Sequence, residues 1–549
     1  MKNLFLVSFL CIAIFSCQVK PSEKIVEEKE NEFVWQAANV YFLLTDRFHN
    51  GDISNDLNFD RTKTPGKLRG FEGGDLKGIT QKIKEGYFTK LGINAIWMTP
   101  IVEQIHDATD EGTGVTYAYH GYWAKDWTTI DPNFGTKEDL KELVETAHKN
   151  GIRILLDAVI NHTGPVTEKD PVWPSDWVRT SPKCEYSNYE NTTSCTLVEN
   201  LPDIRTDSNS SVDLPPQLIE KWKNEGRLAQ EMAELDAFFK RTGYPRAPRF
   251  YIMKWLTDYI TEFGIDGYRV DTVKHTEEYV WQEFKKECDF SFAEFKKNNP
   301  EKVLDNNDFY LVGEVYNYAI SHGKSFDFGD KKVNYFDESF NSLINFEIKW
   351  NVKQMTSKAV FKKYDSLLNS ELKGYGVLNY MTSHDDGQPF DKERAKPFQT
   401  ATMLLLTPGT SQVYYGDESA RSLTIEGAIG DATLRSMMNW DDINHTGETK
   451  KIVEHWQKLG QFRANHPAVG AGKHSVISDK NGLIFSRIYK NDKVIIGIDL
   501  FEKSISIDVS SIFNEGDVLK ETYSNQEVVV KNGNVNFISE FSIFLLEKK

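Results

Sequence analysis

From Val40 to Tyr415 the chain alternates short apolar runs with longer amphipathic stretches. The runs are Val40–Leu44, Asn94–Met98, Arg153–Asp157, Gly267–Val270, Tyr310–Gly313, Ser342–Phe346, Val377–Met381 and Gln412–Tyr415, with Ser342–Phe346 the weakest signal. Several are nearly all apolar, as parallel strands covered on both faces should be. Between them, segments such as Lys137–His148 and Arg249–Phe263 carry helical periodicity. Eight strands alternating with helices predict an α/β fold, a (β/α)8 TIM barrel.

Two features interrupt this rhythm. About 90 residues rich in Pro, Asn, Ser and Thr separate Asp157 from the helix near Arg249. A structureless loop of that length is improbable inside a compact domain, so an inserted subdomain after strand 3 is expected. After Pro467 the pattern turns to antiparallel strands: Leu483–Tyr489, Val494–Leu500, Ile505–Val509, Val528–Val530 and Phe541–Leu546, with turns such as Lys531-Asn532-Gly533-Asn534. The expected organisation is a barrel over 35–163 and 249–466, an inserted domain over 164–248 and a C-terminal antiparallel β-sandwich over 467–549. No internal repeat is visible.

The N-terminus reads differently. Lys2 is followed by the run Leu4–Phe15, apolar except for Ser8 and Cys11, ending Ser16-Cys17. The run is short for a bilayer span and suits a secretory signal over 1–17. The small residue before Cys17 resembles a bacterial lipoprotein cleavage site, with Cys17 lipidated. Residues 18–34, charged and Glu-rich, read as a flexible tether. The protein is therefore expected to be exported, periplasmic or at the cell surface, and to meet a membrane only through its N-terminal lipid. In an oxidising compartment Cys184 and Cys195 can pair, while Cys288 is expected to be buried.

Composition narrows the function class. Hydrophobic residues make up 40% and charged residues 27%, enough for an ordinary globular core. The formal net charge is −16, which argues against a nucleic-acid partner and leaves a neutral polymer open. No cysteine or histidine spacing suggests zinc.

In a barrel of this type the active site lies at the C-terminal strand ends. Strand 3 ends Asp157-Ala-Val-Ile-Asn161-His162, and strand 4 runs Gly267-Tyr-Arg269-Val-Asp271, followed by Lys274-His275. Strand 5 ends Gly313-Glu314, and strand 7 ends Ser383-His384-Asp385-Asp386. Arg269 and Asp271 alternate along one strand and so share a face. An arginine beside a carboxylate favours its ionised form. A retaining glycoside hydrolase needs an ionised nucleophile and a second carboxyl group held protonated, about 5–5.5 Å apart. Asp271 and Glu314 are the candidates, with Asp385 as a third carboxylate.

The four segments just quoted resemble, in order and spacing, the signature regions of the α-amylase family of glycoside hydrolases. Ala118-Tyr-His120-Gly-Tyr122-Trp123, Leu201-Pro-Asp203-Ile204 and Tyr414-Tyr-Gly-Asp-Glu418 extend the resemblance across about Val40–Ala468. Within the family, Thr45-Asp-Arg-Phe48, Asn50-Gly-Asp52, Gly73-Gly-Asp-Leu76 and Pro467–Lys473 are similar to periplasmic α-amylases of Gram-negative bacteria. The resemblance implies roles: Asp271 attacks the anomeric carbon, Glu314 is the acid/base, and Asp385 binds the distorted sugar. It implies further that His162 and His384 bind that sugar, Arg269 orients Asp271, and Tyr122 stacks. Lys274 and His275 would contact the leaving-group side.

The resemblance also implies Ca2+, as one or two structural ions. Asn161, Asp203 and the carbonyl of His275 match the family's ion between barrel and inserted domain. Asn50, Asp52, Asn55, Asp56, Gly73 and Asp75 resemble the N-terminal calcium loop of the cyclodextrin-forming relatives, against the plainer reading of an Asx-rich turn. The expected activity is hydrolysis of α-1,4-glucosidic bonds in an α-glucan, starch or maltodextrins, by a monomer. The alternatives are a transglycosylase, cyclodextrin-forming or maltogenic enzyme of the same chemistry, or a non-catalytic glucan-binding lipoprotein. In the C-terminal domain Tyr489 and Phe501 are expected in the core, against the alternative of exposed aromatic platforms that bind starch.

Overall fold

The computed structural model describes residues 33–444 and 447–549. The expected signal, Cys17 and nearly all of the tether lie outside the described residues. Eight parallel strands close into a barrel: β1 (Asn39–Leu43), β2 (Ala95–Met98), β3 (Arg153–Ala158), β4 (Gly267–Val270), β5 (Tyr310–Gly313), β6 (Ser342–Asn345), β7 (Gly376–Tyr380) and β8 (Thr410–Tyr414). Each pairs with its neighbours in sequence, and β1 closes on β8 with Asn39 opposite Ser411. Gly267–Val270 and Tyr310–Gly313 have the expected bounds, and the other ends differ by at most two residues, because ladder hydrogen bonds rather than apolarity decide where a strand stops.

The helices follow their local signals. Lys137–Lys149 opens on a capping box between Thr136 and Asp139 and buries Leu140, Leu143, Val144 and Ala147 on one face. Each of those larger side chains contributes about 1.5–3 kcal/mol on burial. Pro248–Phe263 starts with proline in its first turn and ends at Gly264, φ 70°. A Cβ at Gly264 would sit 2.1 Å from the Phe295 ring, so only glycine fits both the turn and the packing.

The segment between β3 and the 248–263 helix is more helical than its composition suggested. It holds Pro216–Asn224 and Leu228–Thr242, which bury Leu218, Trp222, Leu235, Phe238 and Phe239. Tertiary burial of these few large side chains outweighs the local polar bias. A two-residue ladder pairs Val178–Arg179 with Asp203–Ile204, and Cys184 is disulfide-bonded to Cys195. Cys288 is free and buried. A hairpin of Val102–Gln104 with Ala124–Ile130, which the hydrophobic pattern did not reveal, positions the Tyr119–Trp123 segment.

Beyond the barrel come β9 (Lys473–Ser478), β10 (Leu483–Tyr489), β11 (Asp492–Ile498), β12 (Ser504–Asp508), β13 (Val518–Glu521), β14 (Gln526–Val529), β15 (Asn534–Ile538) and β16 (Phe544–Lys548). They form an antiparallel sheet ordered β9-β10-β11-β16-β13-β14 and a separate β12-β15 pair. Ile495, Leu519 and Phe544 of the large sheet and Ile507, Val535 and Phe537 of the pair share one apolar core, as in a β-sandwich. Phe501 was expected in that core; it is 70% exposed, because it follows β11 on a turn held by Asn481. His466, at the end of the last barrel helix, bonds Asp492 at 2.8 Å and Glu547 at 2.5 Å across the domain junction.

Candidate active site

The site is organised by one buried cation. Arg269 lies opposite Asp157 in the β3–β4 register, so their side chains leave adjacent strands at one level. Arg269 Nη1 donates to Asp157 Oδ1 and Oδ2 at 2.9 and 3.1 Å and to Asp271 Oδ1 at 2.7 Å. Nη2 lies 3.0 Å from Glu314 Oε2. Three carboxyl groups thus share one guanidinium that is 1% exposed. Such a cation is costly to bury unless its charge is met, and here three acidic groups meet it.

Asp157 is further fixed by Trp97 Nε1 at 3.1 Å and the Tyr122 hydroxyl at 2.9 Å, both donating to Oδ2. Burial pushes its carboxyl up, and Arg269 opposes the shift. Barrel hydrogen bonding continues one residue past the strands: Asp271 N donates to Ala158 O at 3.0 Å, and Glu314 N to Val270 O at 2.9 Å. The next residue, Thr272, sits at φ 48°, rare for a β-branched side chain. That conformation delivers its N–H to Glu314 Oε2 at 3.0 Å. Strain of this kind costs about 1–3 kcal/mol and persists where surrounding structure enforces it.

Glu314 is pushed up to about 8, first by burial and then by the charges of Asp271 and Asp385, against the pull of Arg269. Asp385 goes the other way. Burial would raise it, but His384, Arg269 and Arg435 together hold it below its ordinary value. Its side chain keeps 41% exposure, so water shares in that stabilisation. The environment separates two nearby acids into a protonated and an ionised form, the requirement for paired acid and base roles.

Around these carboxyls stand the expected sugar-binding groups. The Tyr122 ring stacks on His384 at 5.3 Å, and Tyr122 N donates to His120 Nδ1 at 3.1 Å. Burial lowers His384 to about 4, so it is neutral near pH 7. His162 Nε2 donates to the Tyr122 carbonyl at 3.1 Å, while its buried Nδ1 has no partner among the described residues.

Lys274 and His275 form the far wall. Tyr316, Phe326 and Tyr186 ring centroids lie 5.1, 5.7 and 5.9 Å from Lys274 Nζ. Burial lowers the Lys274 pKa. His275 Nδ1 donates to Thr192 O at 3.0 Å, which ties this wall to the disulfide-closed loop.

The candidate metal groups can be tested by what they leave unsatisfied. Asn161 Oδ1 is buried with no partner among the described residues, while Asn161 Nδ2 donates to Asp203 Oδ1 at 2.5 Å. Burial pushes Asp203 well up, with Arg179 opposing it from 3.0 Å. An unpaired amide oxygen beside a buried carboxylate fits a hard cation. In the N-terminal group Asn50 Oδ1 and Asn55 Oδ1 are likewise buried and unpaired. A Cβ at Gly73 would sit 2.4 Å from Asn50 Nδ2 and 2.7 Å from Asp56 Oδ1, so the loop closes tightly there. Asp75 and Asp52 are less available: Asp75 accepts from Gly51, Asp52 and Gly78 N–H groups, and Asp52 pairs with Lys77 at 2.5 Å. No group of three or more His, Cys, Asp or Glu able to hold a metal occurs among the described residues, so amide and carbonyl oxygens would carry either ion.

Several participants escaped the sequence reading. Asp157 stood at the head of a quoted motif without a role. Its pairing with Arg269, 112 residues away on the adjacent strand, is visible only through register. Arg435, whose Nε donates to the His384 carbonyl at 2.9 Å, carries no local signal at all.

A closed eight-stranded barrel with paired, electrostatically divided carboxyl groups at its C-terminal rim defines a glycoside hydrolase site. Comparison with known proteins narrows this: residues 42–468 match the Alpha amylase, catalytic domain family, and the chain is a glycoside hydrolase of the α-amylase family. It is 34% identical to the periplasmic alpha-amylase of Escherichia coli K12 over 537 residues, covering 86% of this chain and 74% of that protein. It is 27% identical to the cyclomaltodextrin glucanotransferase of Thermoanaerobacterium thermosulfurigenes, covering 84% of this chain but only 59% of that one. Among solved structures, an Anoxybacillus alpha-amylase superposes with TM-score 0.65 at 24% identity, covering 94% of this chain and 99% of that chain, which speaks to fold alone.

Proposed function

We propose that this enzyme hydrolyses α-1,4-glucosidic bonds in starch or maltodextrins with retention of anomeric configuration. The observation that carries the reading is the shared guanidinium: Arg269 bonds Asp271 at 2.7 Å and Glu314 at 3.0 Å, while burial keeps Glu314 protonated at neutral pH. Asp271 attacks the anomeric carbon as Glu314 gives its proton to the leaving oxygen. A glycosyl ester on Asp271 results. Glu314, now anionic, takes a proton from water, which attacks the same carbon and releases Asp271. Asp385 binds the distorted sugar, with His162 and His384 beside it and Tyr122 stacked against it. Lys274 and His275 face the departing portion.

Calcium belongs to the same reading. Asn161, Asp203 and the His275 carbonyl would hold one ion, and Asn50, Asn55, Asp56 and the Gly73 region a second. When bound, the first ion would supply positive charge that joins segments far apart in sequence, and the second would close the 50–73 loop. Export is supported by the signal-like N-terminus and by the periplasmic description of the E. coli relative. Lipidation at Cys17 and a monomeric state complete the proposal.

Transfer to a sugar instead of water is the second reading. It is favoured by Tyr186 and Tyr316 flanking Lys274, which could hold an acceptor sugar. Chromatography of products from starch, with anomeric configuration followed by NMR, tests both. Linear α-anomeric maltodextrins are expected; cyclic or elongated products would establish the second reading, and β-anomers would overturn the mechanism.

A further inference from the structure

In the C-terminal sheet β9 pairs with β10, and His474 stands directly opposite Arg487. Opposed residues of an antiparallel pair share one face, their Cβ atoms about 4.5–5.5 Å apart. Here that face packs on the barrel side, against helix Ser357–Asn369 and the short helix Pro467–Ala471. Arg487 is fully buried and His474 is 9% exposed. The guanidinium is only partly engaged. Arg487 Nη1 donates to the Val469 carbonyl. Its Nε and Nη2 are buried with no partner among the described residues, and so are both ring nitrogens of His474.

The neighbours do not meet this charge. Phe361 and Phe485 wall the pair: Arg487 Cζ lies 5.1 and 5.0 Å from their ring centroids, and the His474 ring 6.0 and 4.8 Å from them. Ring faces attract a cation, but a buried cation still needs an opposite charge. Asp365 acts on Arg487 without forming an ion pair with it; its Oδ1 accepts His474 N at 2.8 Å and Asn369 Nδ2 at 2.9 Å. Arg463, on helix Glu448–Asn465, adds like charge and donates to the Leu405 and Thr407 carbonyls at 2.9 and 3.2 Å. Basic side chains thus gather here without a paired acid, in a chain whose formal net charge is −16. Burial lowers Arg487 to about 9 and His474 to about 3.

We propose that a halide-sized monovalent anion binds between Arg487 and His474 and fastens the C-terminal domain to the barrel. The donors are Arg487 Nε and Nη2, which form one edge of the planar guanidinium and point in parallel, with one N–H of His474. A singly charged halide suits a site walled by two phenylalanines, because it gives up its water more readily than a multiply charged oxyanion. The bound charge fixes a side chain that reaches from β10 to the Val469 carbonyl and to Phe361 of the barrel. The site is independent of the carboxyl groups at the strand ends and of both calcium groups.

Two measurements on the whole protein test this. Crystals soaked in sodium bromide are read by bromine anomalous diffraction, and a peak within hydrogen-bond reach of Arg487 Nε and Nη2 and of His474 is expected. Melting curves are recorded in sodium chloride and in sodium gluconate at equal ionic strength. Chloride is expected to raise Tm by about 3 °C over gluconate. That increment should vanish in Arg487→Met and shrink in His474→Phe. The wild-type diffraction decides the site even where Arg487→Met fails to fold. No bromine peak at the pair means that water fills it, and overturns the proposal. A peak without a chloride increment in the wild type marks an adventitious ion only and overturns it too, as does an increment that both variants keep.

Discussion

Arg269 places one nitrogen 2.7 Å from Asp271 and another 3.0 Å from Glu314, so a single planar group sets the relative position of two carboxyls on neighbouring strands. Arginine suits this because its fork is rigid and permanently charged. Burial and like charge raise Glu314 in spite of the shared cation, which pulls it down.

Removing either carboxyl should abolish turnover while sparing the fold. Asp271→Asn and Glu314→Gln are each expected to lower kcat by about 10³-fold or more, at the upper end of acid–base contributions. Initial rates on maltoheptaose with a parallel melting curve check this. Full activity in Asp271→Asn would displace the nucleophile assignment.

The pH profile should follow Glu314. Its pKa is raised from the ordinary carboxyl range to about 8, so the acid form persists through neutrality and is lost as pH climbs past 8. The alkaline limb of kcat/KM is expected near pH 8. Asp385, held below its ordinary value, stays ionised well into the acid range. An alkaline limb centred below pH 6 would contradict the assignment.

Chelation should destabilise the protein. Asn161, Asn50 and Asn55 each bury an amide oxygen with no partner among the described residues, and an ion bound at a hundred times its Kd adds about 2.7 kcal/mol to the folded state. EDTA is expected to lower Tm by about 5 °C, reversed by added Ca2+. Asn161→Ala and Asn55→Ala should each shrink that response. A Tm indifferent to EDTA removes both proposed ions.

His466 should make stability depend on alkaline pH. Burial lowers its pKa, but hydrogen bonds to Asp492 and Glu547 outweigh it and raise the group to about 9. A histidine whose folded pKa lies above its unfolded value of roughly 6.5 stabilises fully below that value. The contribution fades as pH rises through 9. The gap in unfolding free energy between wild type and His466→Gln is expected to be about 2–3 kcal/mol at pH 6 and to close by pH 10. A gap that stays constant between pH 6 and pH 10 would show that the charge is not involved.

Much of the barrel was legible because its signals are local. Apolar runs marked all eight strands, and helical periodicity marked Lys137–His148 and Arg249–Phe263. The antiparallel domain was less legible: β9, β13 and β15 carry polar residues on their exposed faces, which broke the apolar pattern. The helices 216–224 and 228–242 were hidden by polar neighbours, since only two residues of the first and three of the second are buried.

The sequence by itself determined the order of the eight barrel strands, the chemical types at the strand ends and the place of Asp271, Glu314 and Asp385 at those ends. These depend on neighbours within a few residues, whose periodicity and turn chemistry act locally. Only the tertiary structure decided that Asp157 shares the Arg269 guanidinium, that Arg435 supports His384, and that Glu314 rather than Asp385 holds the proton. Those outcomes follow from strand register and burial, which bring residues more than a hundred positions apart within 3 Å and remove the water that would otherwise level their acidities.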